Sequence, residues 1–98
     1  MQTAPLTGKT ALVTGGGGGI GSAICRRLAA AGAQVVINYN SNAEKAQAVA
    51  DTLAGKHHMV IQASVTDSAA LAAMAEEVAN RYGKLDLLVN NAGITRPV

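Results

Sequence analysis

Five consecutive glycines, Gly15 to Gly19, stand between an apolar run, Ala11-Leu12-Val13, and an amphipathic helical pattern that begins with Ile20 and Gly21. A strand that passes through glycine into a helix is a junction suited to holding phosphate. Glycine reaches φ > 0 without steric cost and lets a ligand approach the backbone, while the helix directs unpaired N–H groups and the positive end of its dipole at an anion. Several patterns fit the run. Gly16, Gly18 and Gly21 match G-x-G-x-x-G, as any glycine tract would. Gly16 and Gly21 also fit the ends of a P-loop, but Ser22 follows where its lysine should stand, which argues against nucleoside-triphosphate hydrolysis. The tighter T-G-x-x-x-G-x-G fits in one register only, through Thr14, Gly15, Gly19 and Gly21. Apolar residues on both sides of the run argue against a flexible linker.

Strand and helix patterns alternate along the rest of the chain, the signature of βαβ units and a parallel sheet. The first strand is expected over Thr10 to Thr14 and the first helix over Gly19 to Ala31, with Ile20, Ala23, Ile24, Leu28 and Ala31 on its buried face. Gln34 to Asn38 is expected as the second strand. Ser41 with Glu44 forms a capping-box pattern for a second helix that buries Ala46, Val49, Ala50 and Leu53. A third strand is expected over Met59 to Ala63. Asp67 or Ser68 then caps a helix carrying Leu71, Met74, Ala75, Val78 and Tyr82, and Leu85 to Val89 forms the fourth strand. Right-handed crossovers with one reversal give the order 3-2-1-4, helices on both faces, and a switch point between the first and fourth strands. This is an α/β, doubly wound parallel sheet of the Rossmann type. The glycine loop and Asn90-Asn91-Ala92-Gly93 both fall at that switch point, where such sheets bind ligands.

Composition narrows the field further. Ninety-eight residues make one domain at most, near the small end for a doubly wound sheet. Hydrophobic residues make up 49% with only two aromatics, so the core must be built of Ala, Val, Leu and Ile. A net charge of +2 without a basic run argues against nucleic acid as a partner. The single Cys25 excludes an internal disulfide and suits a reducing compartment; it is expected as a small packing residue. No signal peptide or membrane span is legible, and a cytoplasmic location is expected. His57-His58 is expected as a solvated turn, since adjacent histidines on a strand point to opposite faces and grip one metal poorly.

With T-G-x-x-x-G-x-G at Thr14 to Gly21 and N-N-A-G at Asn90 to Gly93, in this order and on these elements, the chain resembles the short-chain dehydrogenase/reductase family. Gly83-Lys84-Leu85-Asp86-Leu87-Leu88-Val89 is also family-like, and the resemblance covers almost everything after Leu6. It implies a nicotinamide dinucleotide as cofactor. Residue by residue, the loop of Gly15, Gly17, Gly18, Gly19, Ile20 and Gly21 would cradle the pyrophosphate and the adenosine ribose, with the Ile20 N–H near phosphate. Ser64 and Val65 would flank the adenine; many relatives place Asp or Asn at the position of Ser64, so that contact is weaker here. Asn91, Ala92 and Gly93 would line the cleft, while Asn90 braces the sheet.

Charge then bears on the choice of cofactor. An acid about 20 residues beyond the glycines would bond the ribose hydroxyls of NAD and repel a 2′-phosphate. Here Asn38, Tyr39, Asn40 and Ser41 stand there, with no acid before Glu44. Asn38, Asn40 and Ser41 are the expected contacts, and NADP is favoured over NAD. NADP-using relatives often carry an arginine in the loop where this chain has Gly18. Arg26, Arg27 and Lys45 are the nearest cations and read as solvated surface charges.

The family's hydride transfer uses a Ser and a Y-x-x-x-K pair located after this stretch, the Tyr as acid/base. Neither Tyr39 nor Tyr82 has Lys four residues later, since Ala43 and Asp86 stand there. No catalytic residue is therefore nominated, and residues 1–98 are expected to be the amino-terminal, adenosine-binding part of one Rossmann domain. The complete protein would act on a small-molecule carbonyl substrate and form a homo-oligomer, as relatives do. Asn91-Ala92-Gly93-Ile94-Thr95-Arg96 and Ala23-Ile24-Cys25-Arg26-Arg27-Leu28-Ala29 look most like the 3-oxoacyl-carrier-protein and acetoacetyl-CoA reductases. The alternative is a stand-alone nucleotide-binding or interaction module without chemistry.

Overall fold

The computed structural model describes residues 5–91. They form β1 (Thr10–Thr14), α1 (Gly19–Ala30), β2 (Gln34–Tyr39), α2 (Ala43–Asp51), β3 (Met59–Gln62), α3 (Ser68–Tyr82) and β4 (Leu87–Asn90). The four strands pair in parallel in the order β3-β2-β1-β4, so the expected topology holds, with the switch point between β1 and β4.

Alternation along the strands builds two cores. Ala11, Val13, Val35 and Ile37 face α1 and α2, where Cys25, Ala29, Ala46 and Val49 close over them. Leu12 and Val36 face the other way, onto Met74 and Val78 of α3. Both faces of the sheet are thus covered, which is why β1 and β2 read as nearly unbroken apolar runs. Leu87 and Val89 of β4 pack on the first core, whereas Leu88 is 62% exposed on the opposite face. None of the described helices is long and apolar enough to cross a membrane.

The first helix turns a different face to the sheet from the one its large side chains suggest. Gly21, Ser22, Cys25 and Ala29 are buried, while Ile20 is 51% exposed and Ala23 lies outward; Ile24 and Leu28 flank the seam. Small residues four apart let the helix axis approach the strands closely, and that approach, more than apolar bulk, sets its rotation. Ala31 is the helix's C-cap, outside its last turn. In α3, Met74 and Val78 are buried as expected, with Leu71 and Tyr82 half-buried and Ala75 exposed.

Ends shift more than interiors. β2 continues through Tyr39, and the α2 cap is Asn42, whose Oδ1 accepts the Lys45 N–H at 3.0 Å, in place of the expected Ser41. Asp67 caps α3 by accepting from Ala69 and Ala70 at 3.0 and 3.2 Å. β4 begins at Leu87, because Asp86 is engaged in holding the start of β1.

The histidine pair is no plain solvated turn. His57 takes a positive φ of 68°, and its carbonyl accepts the Tyr82 hydroxyl. His58 is half-buried: Nδ1 accepts the Val35 N–H at 3.0 Å, which requires Nε2, 2.7 Å from Ala54 O, to carry the proton. β3 pairs with β2 only from Val36 onward, so the imidazole supplies an acceptor just beyond the ladder's end.

Candidate functional site

Gly15 leaves β1 at φ 65°, in the left-handed region that favours glycine, and swings the chain toward α1. The turn is held from below: the Gly16 N–H donates to Asn38 O at 3.0 Å, and Gly16 is buried against Ile37 and Cys25. A side chain at Gly21 would collide with Gly15 O, so the first turn of α1 can lie against the loop only without one. At Gly19 nothing lies within 4 Å of an added Cβ, and this side of the loop is open. Asn42 and Asp67 cap α2 and α3, but no side chain caps α1 and no acid stands in its first turn. Its first N–H groups are left for an anion.

The two sequence motifs are stitched together at the switch point. The Asn91 N–H donates to Thr14 Oγ1 at 3.0 Å, and Asn91 Nδ2 donates to Gly15 O at 3.1 Å. Thr14 Oγ1 in turn lies 3.3 Å from both Val89 O and Asn90 Oδ1, so Asn90 does brace the sheet. Asn91 is 2% exposed, and its Oδ1 has no hydrogen-bond partner among the described residues.

A cleft of about 460 Å³ opens above these groups. Gly15, Gly18, Gly19, Ile20, Gly21, Asn38, Asn40, Ser64, Val65 and Asn91 line it, joined by Ala63 and Thr66. Gly17 and Ser41 line a smaller adjoining cavity of about 170 Å³ together with Gly15, Gly18, Tyr39, Asn40, Asn42 and Lys45. Ala92 and Gly93 lie outside the described residues. Ser64 Oγ is 2.8 Å from Thr66 Oγ1 and accepts the Thr66 N–H at 3.3 Å, which folds the Ser64–Thr66 turn over one end of the cleft.

Strand parity separates two residues that look equivalent in sequence. Asn38 is 1% exposed on the α3 side of β2, where it donates to Ala63 O at 3.0 Å and reaches Met74 Sδ at 3.4 Å, while its Oδ1 accepts the Gly15 N–H at 3.3 Å. Tyr39 points to the opposite face, into the smaller cavity. Both side chains thus reach the glycine loop, Asn38 through Gly15 from the α3 side and Tyr39 through the smaller cavity on the opposite face. Tyr39 and Lys45 are cavity residues that sequence reasoning set aside, and it did not name Asn42, Ala63 or Thr66 as contacts. Alternation along β2 carried the signal for Tyr39; Lys45 needed the position of α2. Cys25 lies beneath the loop, fully buried, and burial pushes its thiol up to about 11, so it packs and does not react.

Residues 9–98 match the family model described as short chain dehydrogenase. A 3-oxoacyl-[acyl-carrier-protein] reductase of Staphylococcus aureus is 48% identical over 90 residues, covering 90% of this chain and 37% of that protein. Hydroxynaphthalene reductase arp2 of Aspergillus fumigatus is 43% identical over 94 residues, covering 94% of this chain and 34% of its own. Among solved structures, a dehydrogenase/reductase from Sinorhizobium meliloti superposes with a TM-score of 0.88 at 45% identity, over 93% of this chain and 37% of that one. A short chain dehydrogenase from Burkholderia cenocepacia in complex with NADP gives 0.82 at 48% identity, over 96% and 39%. The chain thus spans little more than a third of these relatives. With the glycine loop, the Asn90-Asn91 stitch and the sheet order in place, it belongs to the short-chain dehydrogenase family.

Proposed function

We propose that this chain forms the adenosine- and pyrophosphate-binding part of an NADP-dependent oxidoreductase that transfers hydride between the cofactor and a carbonyl or hydroxyl carbon. The observation that carries the reading is the convergence of the uncapped α1 N-terminus, the open side of the glycine loop and the orphaned Asn91 Oδ1 on one cleft. A diphosphate fits the N–H groups of α1, and a ribose hydroxyl would donate to Asn91 Oδ1, a buried acceptor that is costly to leave unpaired. Ser64 and Val65 line the same cleft and are proposed to flank the adenine. The bound nicotinamide would supply the hydride; the residues here bind and orient it. Ala92 and Gly93 remain proposed as continuations of that wall.

NADP is preferred on charge. The cavity beside Tyr39 has the Ser41 hydroxyl, the Lys45 side chain and no carboxylate in its lining, which suits a 2′-phosphate. The Burkholderia relative bound to NADP supports the same cofactor, and the 3-oxoacyl-[acyl-carrier-protein] reductase among the relatives motivates a 3-oxoacyl thioester as the substrate class proposed for the whole protein. Titrating the chain with NADPH and NADH tests the cofactor: tighter binding of NADPH is expected, and equal or tighter NADH would overturn the choice. Ketone turnover is not expected of this chain, which holds no Y-x-x-x-K; turnover above a no-enzyme control would overturn the assignment of the chemistry elsewhere.

A further inference from the structure

We propose that Asn38 is a positioning residue that couples the two walls of the cleft, so that ordering the glycine loop and ordering the Ala63–Thr66 turn become one event. The inference rests on the dinucleotide reading above. Asn38 sits where an apolar residue would pack as well, on the α3 face of β2 in line with Val36 and beside Met74. Besides longer contacts from Nδ2 to Met74 Sδ at 3.4 Å and Ile61 O at 3.5 Å, its partners lie in the two loops that line the cleft. Oδ1 takes the Gly15 N–H at 3.3 Å, Nδ2 gives to Ala63 O at 3.0 Å, and the Asn38 carbonyl takes the Gly16 N–H at 3.0 Å. The direction of the amide is fixed by these partners, because only oxygen can face the Gly15 N–H and only nitrogen can face Ala63 O.

An acceptor and a donor held side by side in one rigid plane can bridge both loops. The hydroxyl of Ser or Thr can also donate and accept, but it sits one bond nearer the backbone and falls short of both partners at these distances, and a buried amide missing either partner is penalised, so the two loops hold each other through this group. A ligand that orders one wall lowers the ordering cost at the other, which is positive coupling between the adenine end and the phosphate end of the cleft.

The test uses adenine and inorganic pyrophosphate as separate probes of the full chain, titrated singly and together by NMR. Each should tighten the other about five-fold, the low end of coupling between linked sites. In Asn38→Thr the mutual factor should fall to about one, whatever the affinity of each probe alone becomes. Mutual tightening that survives in Asn38→Thr, or is absent from the unmutated chain, overturns the proposal. Should the variant not fold, amide exchange in the unmutated chain decides: adenine alone must slow exchange at Gly15 and Gly16, and unchanged rates there refute the coupling. If both probes bind independently, only this inference fails. If neither binds, the dinucleotide reading fails and takes this one with it.

Discussion

Asp86 grips Thr10 twice: its Oδ2 accepts the Thr10 N–H at 2.8 Å, and its own N–H donates to Thr10 O at 2.9 Å. β1 and β4 are more than seventy residues apart in sequence, and this clamp sits directly before their ladder, which runs from Ala11 opposite Leu87 to Thr14 opposite Asn90. The register fixed at Asp86 is therefore the register that delivers Asn91 to Gly15 at the other end of the strands.

The Thr10 N–H holds the Asp86 carboxyl below its ordinary value; desolvation opposes it less strongly, and Lys84, 3.6 Å away, and Lys9 add smaller lowering contributions. A folded-state value below the unfolded one means that the unfolded chain binds more protons in between, so stability falls as the medium is acidified. The contribution is complete above the ordinary carboxylate value of about 4 and is lost as pH drops through the lower folded value. The urea midpoint of the chain should decline across that window, and Asp86→Asn should flatten the decline. An unchanged acid limb in the variant would show that another carboxylate is responsible.

Two glycines of the loop should respond in opposite ways to alanine. Gly21→Ala drives a methyl into Gly15 O and crowds Asn91 Nδ2, so it should destabilise the chain by about 1–3 kcal/mol and abolish dinucleotide binding. Gly19→Ala meets nothing and sits in the first turn of α1, where Ala is favoured over Gly by up to about 1 kcal/mol. It should fold at least as stably while weakening NADPH binding, since the methyl occupies the open side of the loop. Thermal unfolding and fluorescence titration of both variants check the contrast.

Cofactor discrimination should reside at Tyr39 and Lys45. A carboxylate at Tyr39 would face the smaller cavity, so Tyr39→Asp should move preference toward NADH, whereas Asn38→Asp would place its charge inside the α3 core and damage folding. Lys45→Met should weaken 2′-phospho-ADP-ribose by a few-fold, since an exposed charge pair is worth about 1 kcal/mol or less, and leave ADP-ribose unaffected. Equal losses for both ligands would remove Lys45 from the proposed phosphate contact.

His58 lies at the end of the sheet away from the cleft, where Val35 starts the buried part of β2. His58→Leu leaves the Val35 N–H and Ala54 O without their partner and should lower stability by roughly 1–3 kcal/mol. Dinucleotide affinity should not change. A parallel loss of affinity would mean that the two ends of β2 are linked more tightly than the hydrogen bonds indicate.

Sequence by itself determined the elements and their order. Short β-branched runs such as Val35-Val36-Ile37 read as strands buried on both sides, and right-handed crossovers with one reversal give the order that puts the glycine loop beside Asn90-Asn91. Most of the cleft was legible for the same reason: a strand end, a glycine turn and a helix start are local, and the ligand meets the backbone there. Tertiary structure decided which side chains face which way. The seam of α1 runs along Gly21, Cys25 and Ala29 because the contact at Gly15 sets how near the helix can come, a distance that no hydrophobic period contains. Asn38 and Tyr39 differ by one step of the pleat, yet one packs against α3 and the other opens beside Lys45, because β2 continues two residues further than its apolar run. Asp86 was expected inside the fourth strand and His58 in a solvated turn. Their partners, Thr10 and Val35, are distant in the chain, and only the folded sheet brings those unpaired backbone groups within reach.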